Sequence, residues 1–358
     1  MRGRASYPRP LSLAALVLLL IACSPSPSGA PPAPAPAAAG LPTSAAPTEA
    51  PPPRLPLRIA YTALVASQSV AWLAQEDGTF DRYGLDTTIT FINGGPAGMA
   101  ALVAGDIDMV IVGAASVIRS AVQGSDAVLI AGTKNRLAGA LMVKPEIRTA
   151  ADLRGRRVGV ASRGSNSELV ARVALQQLGL DPDADVTYLA VGSGSQRVAA
   201  LQQGAVDACG CIPPDNVVAE DAGFYTLLDV TPLDIKYPAT AVGARRSRIE
   251  EQPELFTRAI QAMAEGVHRY RNDPEFALRV IKEYTKHQDD RAVRVGYEFE
   301  RTLMAPDLRV DLEAVQATIE EVAMTIPQAA AARPEQFVDT RFVDALAHSG
   351  LLDRLGAR

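Results

Sequence analysis

The chain has 358 residues, of which 48% are apolar and 21% charged, and its formal net charge at pH 7 is −5. The length is typical of about two domains, and the apolar content excludes wholesale disorder. The acidic balance, with Lys and Arg spread along the chain, argues against a nucleic-acid partner. With three Cys and three His in all, a disulfide framework is excluded, and neither a metal centre nor another cofactor is expected.

Residues 1–22 have the pattern of a signal peptide. A basic start precedes an apolar run over 11–22, which is shorter than the roughly 20 residues that span a bilayer. The run ends in Leu20-Ile21-Ala22-Cys23, which resembles a bacterial lipobox. This resemblance implies that Cys23 is lipidated and becomes the mature N-terminus. The alternative is an ordinary signal peptide with an incidental Cys.

Residues 23–56 are expected to form a tether. Positions 24–56 hold 12 Pro and 9 Ala, and so few large apolar side chains cannot offset the entropy of folding. Proline fixes φ and removes hydrogen-bond donors, which favours a semi-extended chain. An anchor at Cys23 would hold the folded body at a membrane surface outside the cytoplasm, in the periplasm or on the outer cell surface.

From residue 57 onward, short apolar runs alternate with helical patterns, which predicts an α/β fold of βα units around mostly parallel sheets. The predicted strands are 57–61, 87–92, 108–112 and 127–131, and the predicted helices are 70–76, 98–104 and 116–123.

The pattern repeats after 99 residues. Residues 100–108 and 199–207 both read as a helix end, a Gly suited to the left-handed cap and an Asp that opens a strand. At the same offset, 57–60 corresponds to 156–159. A period this long predicts two similar lobes rather than a solenoid.

Residues 247–355 are predicted to be mostly helical. In the segment 254–271, Phe256, Ile260, Met263 and Val267 recur at helical spacing, which indicates a face packed on the core. The segments 275–284 and 312–323 behave likewise.

Short polar loops follow the predicted strands in both lobes. Ligands in open α/β sheets bind at the carboxyl ends of strands, and helix N-termini there suit anions. We therefore predict a ligand site in a shared cleft. The alternative is that such loops are only tight turns, and that Ser165 caps its own helix. The candidate ligand-binding residues are Thr62, Ser67, Gly94, Gly95, Ser116, Gly164, Ser165, Asn166, Ser193 and Pro213.

Motifs of other chemistries are missing from the sequence. It has no G-x-S-x-G, H-E-x-x-H, Walker or dinucleotide fingerprint. The three His lie in polar helical stretches, which favours structural roles. Cys209 and Cys211 share one face of a strand, and we expect two buried free thiols. A labile disulfide is the alternative.

Several segments together resemble nitrate/sulfonate/taurine-type substrate-binding proteins of ABC transporters, a group that includes binders of thiamine-pyrimidine precursors. The resemblance rests on residues 57–62, on 73–86 with its Gly-x-Phe at 78–80, on 150–160, on Gly164-Ser165 and on 201–207. It is strong over 57–245 and weak in the helical tail.

The resemblance implies a type II periplasmic-binding-protein fold, with two βα lobes joined by two crossings and a helical C-terminal tail. We place lobe one at 57–140 and 240–358 and lobe two at 141–239, with crossings near 137–143 and 238–244. It also implies a monomeric, non-enzymatic receptor that passes a small polar or anionic compound containing nitrogen or sulfur to a permease and ATPase. The membrane would be contacted through the lipid anchor only.

One difference from the family's sequence pattern leaves the identity of the ligand undetermined. Relatives commonly place Trp and Pro after the motif that ends at Ala208, whereas this chain continues Cys-Gly-Cys-Ile-Pro-Pro. Arg136 and Arg163 are the candidate cations. A receptor for a membrane sensor is an alternative function. A thiamine-pyrimidine-synthase-like enzyme is less favoured, because it requires a cytosolic chain and a catalytic His.

Overall fold

The computed structural model describes residues 54–356. The predicted signal peptide, Cys23 and the tether up to residue 53 lie outside the described residues. Within 54–356, no helix has both the length and the apolar character that crossing a membrane requires.

Strands and helices alternate from residue 55 to residue 245, and helices dominate thereafter. The strands are β1 (Leu55–Tyr61), β2 (Leu85–Phe91), β3 (Met109–Val112), β4 (Ala127–Arg136), β5 (Ala140–Val143), β6 (Arg156–Val160), β7 (Val186–Ala190), β8 (Ala208–Cys211), β9 (Tyr225–Asp229) and β10 (Lys236–Arg245). The helices are α1 (Val70–Glu76), α2 (Thr79–Arg82), α3 (Gly95–Ala104), α4 (Ala114–Val122), α5 (Asn166–Gln177), α6 (Gly194–Gln202), α7 (Asp215–Asp221), α8 (Arg246–Glu251), α9 (Pro253–Asn272), α10 (Pro274–Thr285), α11 (Asp290–Leu303), α12 (Leu312–Ala323), α13 (Arg341–His348) and α14 (Leu351–Leu355).

The strands form two five-stranded mixed sheets of the same design. The first has the order β2-β1-β3-β10-β4 and the second the order β7-β6-β8-β5-β9. In each, the first three strands pair in parallel and the last two pairings are antiparallel, so one strand, β10 or β5, runs opposite to the other four. The register repeats as well, because Ile59 pairs with Met109 and Val158 with Ala208, 99 residues further along. The predicted repeat is therefore confirmed.

An Arg–Asp contact joins neighbouring strands at the same place in both sheets. Asp108 accepts hydrogen bonds from the backbone N–H and the guanidinium of Arg58, at 3.0 Å each. Asp207 accepts the same three from Arg157, at 3.0–3.1 Å. Burial would raise the pKa of both carboxyl groups, but the hydrogen bonds from these cations outweigh it and hold each pKa below the usual range. The repeat thus extends from backbone register to a shared ion pair.

The helical region after residue 245 packs on the first sheet. The predicted apolar stripe of α9 is confirmed, since Phe256, Ile260, Met263 and Val267 are buried in one core with α1. A Cβ at Gly266 would lie 3.0 Å from the Ala74 nitrogen, so the glycine permits the close approach of α9 to α1.

The chain passes between the sheets at 137–139 and again at 230–235. The first passage overlaps the predicted crossing. The second lies earlier than predicted, because residues 238–244 belong to β10 and pair with β3 and β4. β1 likewise begins at Leu55, two residues before the predicted start of the folded body. The limits of the two lobes stay a prediction.

Candidate functional site

A cavity of about 90 Å³ lies between the two sheets, at the carboxyl ends of their parallel strands. Its walls are the loops after β1, β2 and β3 on one side and the loops after β6, β7 and β8 on the other. Parts of β4 and β10 near the passages between the sheets complete it. This is the position at which open α/β sheets bind ligands.

Eight of the ten candidate ligand-binding residues line this cavity. They are Thr62, Ser67, Gly94, Gly95, Ser116, Ser165, Asn166 and Ser193. Residues almost 100 positions apart thus meet across a single space, as the repeat predicted. Their contact with a ligand stays a prediction.

The other two candidates lie elsewhere. Gly164 faces a neighbouring groove and has φ +75°, a conformation that other residues rarely adopt. Pro213 precedes a cis peptide bond and packs against α11, where a Cβ at Gly296 would lie 3.6 Å from its carbonyl carbon. Ile212 takes its place in the cavity wall. The chain turns away from the cavity at both positions, which the sequence pattern did not indicate.

Four helices begin at the cavity. Gly94, Gly113, Ser165 and Ser193 are the N-caps of α3, α4, α5 and α6, and all but Gly113 of these were singled out from the sequence. The first N–H groups of a helix have no partner within it, and the helix dipole is positive at this end. Their convergence makes the cavity favourable for an anion.

The hydroxyl groups of the cavity fall into two kinds. Ser165 and Ser193 accept a bond from the N–H three residues ahead and cap their own helices, which is the alternative left open above for Ser165. Thr62 donates its proton to the Ile111 carbonyl at 2.9 Å. Ser67 and Ser116 have no side-chain partner among residues 54–356. Thr240 also lines the cavity, and its hydroxyl has no partner among the described residues. These three hydroxyl groups therefore remain fully available to a ligand.

Two cations in the cavity wall escaped the sequence analysis. Arg197 is 5% exposed and donates from Nε to the Gly210 carbonyl at 3.0 Å and from Nη1 to the Gly192 carbonyl at 2.6 Å. Its Nη2 has no partner among the described residues. The guanidinium is therefore fixed by two backbone carbonyls and keeps donors for a ligand.

Lys134 is the second cation. Its ammonium group donates to Oε1 of Glu300 at 2.7 Å, and both side chains are buried. An ammonium group has three donors, so two remain. Glu300 itself does not line the cavity, and no Asp or Glu does so within 54–356. The cavity wall therefore presents positive but no negative side chains.

The two cations predicted from the sequence are elsewhere. Arg136 forms an exposed ion pair with Asp234. Arg163 pairs with Glu168 at 2.9 Å and stacks over the Tyr188 ring, 4.9 Å from its centroid. Both are outside the cavity.

A buried acid and two thiols lie beside Arg197. Burial raises the pKa of Asp215, and its Oδ2 has no hydrogen-bond partner. Cys209 and Cys211 are free and buried, with their Sγ atoms 2.8 Å apart, and burial raises the pKa of the Cys209 thiol. A buried thiol with a raised pKa, as at Cys209, is a poor nucleophile.

Metal ligands are sparse in the described part of the chain. Residues 54–356 contain no group of three or more His, Cys, Asp or Glu side chains able to hold an ion. His287 lies 3.5 Å from Asp215, and neither lines the cavity.

Solved structures show which fold this is. A Bordetella bronchiseptica protein superimposes with a TM-score of 0.74 at 20% identity, covering 83% of this chain and 98% of its own. The periplasmic aliphatic sulphonate binding protein SsuA of Escherichia coli superimposes with a TM-score of 0.63 at 24% identity, covering 79% and 97%. The predicted type II periplasmic-binding-protein fold is confirmed.

The family follows from the sequence match. The model of the NMT1-like family matches residues 50–283, and the chain belongs to this family. The family resemblance drawn from the sequence motifs is thereby confirmed. A Brucella abortus protein provisionally named a binding protein is 25% identical over 254 residues, which cover 70% of this chain and 77% of the relative.

The fold also occurs in an enzyme. The crystal structure of the desulfurization enzyme DszB superimposes with a TM-score of 0.61 at 17% identity, covering 82% of this chain and 99% of its own. The fold by itself therefore does not separate binding from catalysis.

Proposed function

We propose that this protein is an extracytoplasmic solute-binding protein that captures a small organic anion and delivers it to an ABC importer. The observation that carries the proposal is the cavity wall, in which Arg197 and Lys134 lie among four helix N-termini and no carboxylate of residues 54–356 takes part. The fold supports it, and three of the structures that share the fold are named for sulfonate binding. A sulfonate or carboxylate head would satisfy the free donors.

The hydrogen bonding and position of the side chains around the cavity favour binding over catalysis. Ser165 and Ser193 are committed to helix caps, and none of the three His, all within the described residues, lines the cavity. A general base within reach of a bound molecule is what an acid–base mechanism needs. A receptor that signals to a membrane sensor would use the same cavity, and an adjacent permease and ATPase in the genome favours import.

The location follows from the N-terminal sequence. The signal pattern over 1–22 and the lipobox-like end at Cys23 support export and anchoring by a lipid. The Pro/Ala-rich tether would let the binding protein reach a permease in the same membrane. No contact with the bilayer beyond the anchor is proposed, and the receptor is proposed to act as a monomer.

The test is ligand binding by the mature protein and two matched variants. Methanesulfonate, acetate and nitrate are titrated by calorimetry, with melting temperature as the second readout. Arg197→Gln removes the free guanidinium donors, whereas Arg136→Gln removes an exposed cation outside the cavity. Because a hydrogen bond to a charged group contributes about 1.5–3 kcal/mol, we expect Arg197→Gln to weaken binding about 10- to 100-fold.

Arg136→Gln should bind like the wild type. Equal affinity in the wild type and a folded Arg197→Gln protein would contradict the proposed site. Failure of every anion to bind or to raise the melting temperature would contradict the proposed function, since a ligand at 100 times its Kd adds about 2.7 kcal/mol of stability.

A further inference from the structure

Strand β8 carries two free thiols whose sulfur atoms are in contact. The Sγ atoms of Cys209 and Cys211 are 2.8 Å apart, and both side chains are buried in one small core with Val198 and Leu201 of α6. Alternate residues of a strand face the same side, so both sulfur atoms lie on the α6 side of the sheet. Cys211 also lines the cavity, whereas Cys209 does not. One thiol of the pair is therefore accessible from the ligand site.

The residue between the two thiols holds a cation of that site. The Gly210 carbonyl accepts from Nε of Arg197 at 3.0 Å, and the Gly192 carbonyl is the second acceptor for this guanidinium. Arg197 is one of the two cations on which the proposed function rests. Its position therefore depends on the conformation of the Cys-Gly-Cys segment.

Gly210 has no room to move toward α5. A Cβ at Gly210 would lie 2.1 Å from the carbonyl oxygen of Ser167, in the first turn of α5. The residues at this end of α5, Ser165, Asn166 and Ser167, all line the cavity. A displacement of Gly210 toward α5 would therefore push directly on the cavity wall.

A bond between the two sulfur atoms would bend β8. A strand advances about 3.3 Å per residue, which places alternate Cα atoms about 6.6 Å apart, whereas bonded cysteines usually have Cα atoms about 5.5–6 Å apart. Cys209 and Cys211 pair with Met142 and Ala140 in unbroken antiparallel register. Drawing them together on the α6 side makes the strand convex toward α5, at Gly210. Because α5 leaves no room there, the Gly210 peptide has to turn, and its carbonyl leaves Arg197.

We propose that Cys209 and Cys211 form a reversible dithiol–disulfide switch, and that the oxidised form loses the anion site. In the reduced form, Gly210 holds Arg197 and the cavity binds its anion. The effect on binding rests on the proposed function, and the switch adds a means of regulating that site. The proposed location outside the cytoplasm is one in which disulfide oxidants are present.

The co-reactant is a small-molecule disulfide. Burial raises the pKa of Cys209, so Cys211 starts the exchange from the cavity. Its thiol loses a proton, the thiolate attacks one sulfur of the reagent, the S–S bond of the reagent breaks, and the departing thiolate takes up the proton. Cys209 then loses its proton and attacks Sγ of Cys211, which expels the second thiol with that proton. Two electrons and two protons pass to the reagent, and a reducing dithiol reverses the exchange.

The first test asks whether the bond forms. In the mature Cys23→Ser protein, Cys209 and Cys211 are the only thiols. The protein is equilibrated with mixtures of 2-hydroxyethyl disulfide and 2-mercaptoethanol, quenched with acid, alkylated in denaturant and weighed by mass spectrometry. We expect two alkyl groups on the reduced protein and none on the oxidised protein, with both restored by dithiothreitol. Two alkyl groups at every mixture would overturn the switch and leave the anion site untouched.

The second test asks what the bond does to the cavity. Methanesulfonate is titrated by calorimetry against both forms, and amide hydrogen exchange is followed by mass spectrometry. We expect oxidation to weaken methanesulfonate binding at least tenfold, because a hydrogen bond that fixes a charged group is lost. Exchange should become faster at residues 208–211 and in the first turn of α5. By linkage, saturating methanesulfonate should oppose formation of the disulfide by the same factor.

Two variants separate the bond from other effects of the reagent. Cys211→Ala should not react, and it should bind methanesulfonate like the reduced protein in every mixture. Cys209→Ala keeps the thiol that starts the exchange, so it should accumulate a mixed disulfide with one 2-mercaptoethanol unit. If either Ala variant does not fold, the corresponding Ser variant takes its place.

The outcomes separate the switch from the proposed function. A disulfide that forms without changing methanesulfonate affinity or amide exchange overturns the switch. An equal loss of affinity in treated Cys211→Ala also overturns it, because no bond can form there. If the reduced protein binds no anion, the proposed function fails. Amide exchange then decides the switch by itself, since unchanged exchange at 208–211 in the oxidised protein overturns it and faster exchange supports it.

Discussion

The repeated Arg–Asp contact leads to a stability prediction that can be measured in both halves of the molecule. The side chain of Asp207 is 8% exposed and accepts from Arg157 and from Lys144, the latter at 2.9 Å. Replacing it by Asn keeps the shape but removes the charge and turns an amide donor toward these cations. We expect Asp207→Asn to lower the free energy of unfolding.

The expected loss in free energy of unfolding follows from how deeply the paired side chains are buried. Removing one partner of a fully buried ion pair costs about 3–5 kcal/mol. The side chain of Arg157 is 44% exposed and can be solvated by water once it is unpaired, so we expect about 2–3 kcal/mol for Asp207→Asn. Asp108 has 1% side-chain exposure and pairs with Arg248 as well as Arg58. Asp108→Asn should therefore cost at least as much.

The assay is urea unfolding followed by circular dichroism, with Asp81→Asn as the control. Asp81 and its partner Arg54 have 60% and 56% exposed side chains, and exposed pairs contribute about 0–1 kcal/mol. Losses below 0.5 kcal/mol at Asp207 and Asp108, equal to that of Asp81→Asn, would refute the reasoning.

The lowered pKa values of Asp108 and Asp207 also predict how the stability of the protein changes with pH. Because the folded pKa of Asp108 and Asp207 is lowered, their stabilisation is present above the unfolded value of about 3.9 and is lost as the pH falls below it. The wild type should therefore lose more stability than the double Asn variant between pH 5 and 2. Parallel curves would contradict this.

Three further predictions concern the anchor, the loop at Gly164 and the contact across the cleft. Cys23→Ser should abolish labelling by a radioactive fatty acid and release the protein from membranes, and an unlabelled, soluble wild type would contradict the lipobox. Gly164→Ala should cost about 1–2 kcal/mol, because φ is +75°, yet leave methanesulfonate affinity unchanged; a normal melting temperature would argue against this conformation. Arg291 of α11 binds Asp221 of α7 across the cleft at 2.7 Å. Arg291→Glu places a second negative charge opposite Asp221 and should disfavour a state in which the cleft is closed around the ligand. Ligand affinity should then fall up to about fivefold, and small-angle scattering should need a higher ligand concentration to show the smaller radius of gyration of the closed state. Arg294→Glu, on the same helix and without a partner among residues 54–356, is the control, and equal behaviour of the two variants would exclude Arg291 from closure.

Much of the candidate site could be predicted because it is built from loops that follow strands. The spacing between apolar runs is local information, and the 99-residue repeat showed that two sets of such loops occupy equivalent places. Equivalent loops at the carboxyl ends of two facing sheets meet in one cleft, which is why Thr62 and Ser165 could be assigned to the same cavity before their contacts were known.

Which way each residue of these loops faces could not be predicted from its neighbours in the sequence. Gly164 and Ser165 are neighbours in the chain, yet one faces the groove and the other also lines the cavity. Pro213 and Ile212 differ in the same way, because α11 packs against the first and leaves the second in the cavity wall. A helix almost 80 residues further along the chain makes that difference, and no pattern near Pro213 records it.

The amino-acid sequence by itself determined the two βα lobes, the helical tail and the family, because hydrophobic periodicity and turn residues act over short distances. Only the tertiary structure decided which cations serve the cavity. In the sequence, Arg197 looks like an ordinary polar residue of α6, and Lys134 looks like the polar end of an apolar strand. Arg197 lines the cavity because the carbonyls of Gly192 and Gly210 fix its guanidinium. Lys134 can be buried there because Glu300, 166 residues away, supplies the opposite charge. A charge survives in the interior only beside a partner, and the partner is chosen by the fold.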